Sequence, residues 1–105
     1  MIERVRLPDR RSSQNLSFEV DGLRFTATVS FFLGTDRLAE AFINNHRNNS
    51  AADVAARDSA ILLSLCLQHG ADVETIRHAL TGDSHGKACG PVAALLDILA
   101  AKEKP

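Results

Sequence analysis

The segment from Thr81 to Gly90 reads T-G-D-S-H-G-K-A-C-G and concentrates the side chains best suited to chemistry: Asp83, Ser84, His85, Lys87 and Cys89. Glycines, a lysine and the free amides of a following helix are the components of an anion site. The loop therefore predicts a phosphate or nucleotide contact through Asp83, Ser84, His85 and Lys87, ahead of a helix that starts at Pro91. It is not a P-loop. Gly82 and Gly86 stand one residue too close, Ala88 replaces the Ser or Thr that would hold magnesium, and a helix rather than a strand precedes it. A glycine-rich connector is the competing reading. Cys89 precedes a helix start, where a thiolate is stabilised, and His85 lies four residues before it. A Cys/His nucleophile is thus a further alternative, but no third group is in place to orient the pair. No catalytic residue is assigned.

Two other places offer positive charge. His46 and Arg47 sit in the polar run Asn44–Asn49, just before a helix N-terminus, where they could hold an anion or simply face water. Arg10 and Arg11 join Arg4 and Arg6 around Pro8, in an arm suited to an acidic partner or a phosphate. His46, His69, His78 and His85 show neither HxxxH nor HExxH spacing, so no metal ligand set and no cofactor is expected.

The elements that must position these residues centre on Ser50 to Gly70. Ser50 is suited to cap a helix whose first turn carries Asp53, and Gly70 to end it in the left-handed conformation. Val54, Ala55, Asp58, Ile61, Leu62, Leu65 and Cys66 fall at three- and four-residue steps, which predicts them as the inward face. Leu63 and Leu67 widen it, so the helix is expected to be buried nearly all round at its end. Before it, Leu16, Phe18 and Val20 alternate with polar residues. Asp21-Gly22 marks a type I′ hairpin turn, and Leu23 to Phe32 alternates again from Leu23 onward. Arg37 to Asn44 is a third strand with Leu38, Phe42 and Ile43 as its apolar content. After it, Asp72 caps a helix from Val73 to about Thr81, striped by Val73, Ile76 and Leu80. Pro91 opens a last helix that faces inward with Val92, Leu95, Leu96 and Leu99. The fold class expected is α+β: a three-stranded antiparallel meander on a long central helix, then two shorter helices. Residues 1–14 form the basic arm and 15–105 the single domain.

Composition narrows the function. The chain has 105 residues, 45% hydrophobic, with five Phe and no Trp or Tyr, enough for an aliphatic core without staples. A net charge of −1 with mixed signs argues against a nonspecific nucleic-acid binder. No apolar run reaches a membrane span, and no apolar stretch follows the N-terminal arginines as in a signal peptide. The two cysteines form no zinc or redox motif and read as reduced thiols of a cytoplasmic protein.

The ordered elements resemble a TSCPD-type domain, the C-terminal accessory region of adenosylcobalamin-dependent ribonucleotide reductases, which also occurs as short stand-alone bacterial proteins. The resemblance rests on Leu7-Pro8-Asp9-Arg10-Arg11, the Asp21-Gly22 hairpin, Asp36 through Ile43, and Ser50. It continues through Ala60-Ile61, Leu65-Cys66-Leu67-Gln68-His69-Gly70 and Val73-Glu74-Thr75-Ile76, and so spans most of the chain. The Thr-Ser-Cys-Pro-Asp run is absent, as are the catalytic barrel, its radical cysteine and the cobalamin site. The resemblance therefore implies an accessory or regulatory module related to ribonucleoside-diphosphate reductase, binding a reductase subunit or a nucleotide, with no catalytic activity of its own. The open edges of a small sheet and the apolar central helix support a second reading, a self-associating structural module, with a homodimer as the expected state.

Overall fold

A computed structural model describes residues 3, 4 and 13–103. Arg10 and Arg11 lie outside the described residues. The elements are β1 (Ser13–Val20), β2 (Leu23–Phe31), β3 (Leu38–Asn45), α1 (Ala51–Gln68), α2 (Val73–Ala79) and α3 (Pro91–Glu103). The strands form an antiparallel sheet in the order β1-β2-β3, packed on helices. The α+β class and the meander expected from alternation are present.

The β1–β2 turn is set by Asp21 and Gly22, both at positive φ (51° and 80°), as a type I′ hairpin requires. Phe18 then faces Phe25 in register, and their rings stack 5.8 Å apart. Phe25, Ala27 and Val29 of β2 are buried in the core, whereas Leu23, at the hairpin mouth with the same parity, lies at the core's margin and is partly exposed. Between β2 and β3 the register slips. Ser30 pairs with Glu40 and Phe31 with Leu38, so Ala39 is an extra residue on β3. This bulge changes the parity of the strand. Leu38 is buried before it; Ala39, Ala41, Ile43 and Asn45 are buried from it onward. Phe42, read from sequence as apolar content of the strand, is turned out to water for that reason.

Helix α1 begins as expected, with Ser50 Oγ accepting the Asp53 amide at 3.1 Å. Its buried face, however, is not the one the apolar residues mark. Asp53, Ala56, Ala60, Leu63, Ser64, Leu67 and Gln68 face the sheet, while Val54, Ile61, Leu62 and Cys66 are exposed. The cause is the outer edge of β3, whose backbone has no neighbouring strand among the described residues. The α1 side chains supply the missing partners. Ser64 Oγ accepts the Ala41 amide at 2.9 Å and lies 3.1 Å from the Ala41 carbonyl. Asp53 Oδ1 accepts the Asn45 amide at 2.8 Å. Gln68 Nε2 donates to the carbonyl of the bulged Ala39 at 3.1 Å, and Gln68 Oε1 accepts Arg4 Nε at 2.6 Å. Ala56 and Ala60 between them let the helix approach closely. Helix α3 closes the core with Val92, Leu95 and Leu96, and contacts α1, α2 and β1. Each buried Leu or Ile contributes about 1.5–3 kcal/mol relative to an exposed one. Among the described residues, no helix is long and apolar enough to cross a membrane.

Candidate functional site

The Thr81–Gly90 loop is a small closed hairpin. Gly82 bridges to Ala88, the Asp83 amide donates to the Lys87 carbonyl at 2.8 Å, and the Gly86 amide donates to the Asp83 carbonyl at 3.0 Å. The Asp83 carboxylate turns inward: one oxygen accepts the amides of His85 at 2.8 Å and Lys87 at 2.9 Å. The Lys87 amide first, then that of His85, holds the Asp83 carboxyl below its ordinary pKa. These amides are the donors a phosphate would use, so the loop already carries its own anion. Asp83, Ser84, His85 and Lys87 are thus brought together, with all four exposed. His85 Nδ1 lies 3.4 Å from Ser84 Oγ, and Cys89 Sγ lies 4.0 Å from the Lys87 carbonyl.

His46 and Arg47 stand at the start of α1, both exposed. Their backbone is fixed by the turn. The His46 amide donates to the Arg24 carbonyl at 3.0 Å and the Arg47 amide to Asn45 Oδ1 at 3.0 Å. Here too a carboxylate of the chain collects the available amides. Asp53 accepts Asn49 at 2.9 Å as well as Asn45. The Asn49 amide, then that of Asn45, lowers the Asp53 pKa; Arg57 adds to this and burial opposes it. His69, beside the Gly70 cap, has Nδ1 2.8 Å from the Leu65 carbonyl and serves as a helix end. Among the described residues, no group of three His, Cys, Asp or Glu is placed to hold a metal ion.

The most distinctive surface is apolar. Leu62, Cys66, Ile76, Leu80, Pro91 and Val92 line a recess of about 380 Å³ between α1 and the α2–α3 segment. A second recess of about 190 Å³, lined by Val20, Leu23, Ala55 and Cys89, lies between α1 and the hairpin. Ser59 and Pro91 border both, so the two form one strip across the molecule. Leu62 is 63% exposed, Leu23 44% and Leu80 38%. Sequence reasoning placed Leu62 and Cys66 inside, and so missed this strip. The signal was present in the parallel stripe Asp53-Ala60-Ser64-Gln68, whose polar members make sense only if they meet a strand edge. Helix α2 contributes at the far end, shorter than expected and with no fully buried residue. Its Arg77 is half-buried and bound to Asp97 at 2.7 Å and Glu74 at 3.0 Å. Comparison of the chain with protein-family models, curated proteins and solved structures finds no match, so the site's own chemistry has to carry the functional reading.

Proposed function

We propose that this chain is an accessory module that works by binding a protein, through the apolar strip between α1, the hairpin and the α2–α3 segment. The observation that carries the reading is the exposure of Leu62, Leu80 and Leu23 along one continuous recess. Apolar recesses with exposed leucines are where proteins commonly receive a partner's side chains. The partner expected from the TSCPD resemblance is a ribonucleotide reductase subunit, which would tie the module to deoxynucleotide synthesis. A protein partner is favoured over a nucleotide because Asp83 occupies the loop amides that a phosphate would need. Two unbridged cysteines fit a reducing compartment such as the cytoplasm.

The test is affinity capture from the native extract with the tagged wild type and with Leu62→Glu. Leu62 is mostly exposed, so the charge leaves the fold intact and spoils the strip. A reductase subunit held by the wild type and lost with Leu62→Glu supports the reading. Equal capture by both forms, or no reductase subunit with either, overturns it. Self-association is a second reading, favoured by the edge of β1, which α1 does not close and nothing pairs among the described residues.

A further inference from the structure

The two edges of the sheet are treated differently. The outer edge of β3 is closed by Ser64, Asp53 and Gln68. Antiparallel alternation fixes the rest. Since Ala41 directs its amide and carbonyl to Ser64, the Val29–Ala41 pair is not a hydrogen-bonded pair, and Val29 turns its own groups toward Gln14 of β1. Along β1, Gln14, Leu16, Phe18 and Val20 then bond β2, while Asn15, Ser17 and Glu19 direct their amides and carbonyls outward. Among the described residues nothing pairs with those outward backbone groups. The strand runs eight residues without proline, lysine or bulge, the devices that usually blunt an open edge.

The strand is also complementary to itself. A two-fold axis through Ser17 sets Leu16 beside the partner copy's Phe18, and Asn15 beside its Glu19. Ser17 meets its own counterpart. Leu16 and Phe18 are half-buried on the core face and would extend that core across the axis. Glu19, the one charge on β1, faces an amide rather than a like charge, and keeps its neighbour Arg24 at 4.0 Å. The residues that pair at the axis are the ones whose backbone groups point outward, as an isologous interface demands.

We infer that the chain forms a two-fold dimer by pairing β1 with β1 of a second copy, antiparallel and centred on Ser17, giving one continuous six-stranded sheet. The inference rests on the self-association reading and names its surface and register. It is independent of the Leu62 strip, which lies on the helical side of the molecule.

The experiment is sedimentation equilibrium over a concentration series, with circular dichroism as the check on folding. Ser17→Pro removes an amide that bonds nothing in β2, so the monomer keeps its ladder. Across the axis it deletes two hydrogen bonds and is expected to weaken the dimer about thirtyfold. Ser17→Lys sets two like charges opposite each other and is expected to weaken it about fivefold. Mixing Ser17→Lys with Ser17→Glu should restore a dimer tighter than either variant forms alone. Asn44→Lys, an equally exposed change on β3, should leave association unchanged. A wild type that stays monomeric to millimolar concentration overturns self-association itself. A wild-type dimer that ignores the Ser17 changes overturns this interface alone. A mixture that fails to reassociate overturns the register.

Discussion

Ser64→Ala is the sharpest test of how α1 is held. The substitution removes one oxygen from a site that is 7% exposed, against an Ala41 that is fully buried. The Ala41 amide, 2.9 Å from Ser64 Oγ, then has no partner on its outer side. The carbonyl is a lesser loss, because the single Ser64 hydroxyl proton is shared between Ala41 at 3.1 Å and Ala60 at 2.8 Å. One orphaned buried amide costs about 1–3 kcal/mol. Alanine returns about 0.5 kcal/mol through its higher helix propensity. The net expectation is a loss of about 1–2 kcal/mol. For a domain of this size each kcal/mol moves the melting temperature by about 4–8 °C, so a drop of about 5–15 °C is expected. Thermal and urea unfolding would measure it, with Ser59→Ala as control. Ser59 is exposed on the same helix, so it should show only the propensity gain. A Ser64→Ala protein as stable as the wild type would refute the idea that α1 is positioned by the strand edge rather than by its apolar residues.

Further outcomes follow from the same structure. Leu67→Ala, at a buried site, should cost about 2–5 kcal/mol in unfolding free energy, whereas Leu62→Ala should cost almost nothing because Leu62 is already in water; a reversed order would put the buried face of α1 where the sequence pattern placed it. The Asp53 carboxyl has a folded pKa lowered below 3.8, chiefly by the Asn49 and Asn45 amides, so its stabilisation is present above the unfolded pKa and lost as pH falls through the folded one. The stability difference between wild type and Asp53→Asn should therefore shrink as pH is lowered from 7 toward about 3, and thermal melts showing a constant gap would contradict this. Cys66 and Cys89 are both free and exposed, so a thiol reagent should titrate both in the native protein; a cysteine that reacts only after unfolding would contradict the outward face of α1. Nucleotide titration calorimetry should show no saturable heat, and heat abolished by Lys87→Ala would revive the anion site.

How much was legible beforehand depends on whether the cause was local. Ser50 and Asp72 at helix starts, Asp21-Gly22 at the hairpin and Gly70 after α1 each act through the backbone of their own neighbours, and each does what its residue type predicts. The dry side of β1 and β2 and the inward Val92, Leu95 and Leu96 of α3 are likewise readable, because a repeat of two or of three to four residues already states which side is dry, whereas the dry side of β3 is not. The gathering of Asp83, Ser84, His85 and Lys87 was given by adjacency in the chain.

Tertiary structure decided what those elements meet. The Ala39 bulge turned Phe42 out and Ile43 in, and it exists only in the pairing of β2 with β3. The orientation of α1 was decided by the unpaired edge of β3, which needed hydrogen-bonding side chains, so Asp53, Ser64 and Gln68 went inside and Ile61 and Leu62 stayed in water. Hydrophobic periodicity ranks faces by apolar content, but a buried amide left unpaired costs as much as an exposed leucine forgoes. Local residue types and spacing specify the elements, their order and the caps at Ser50, Asp72 and Gly70. Which surface is left for a partner was settled only when one strand's backbone had to be satisfied by a helix far along the chain.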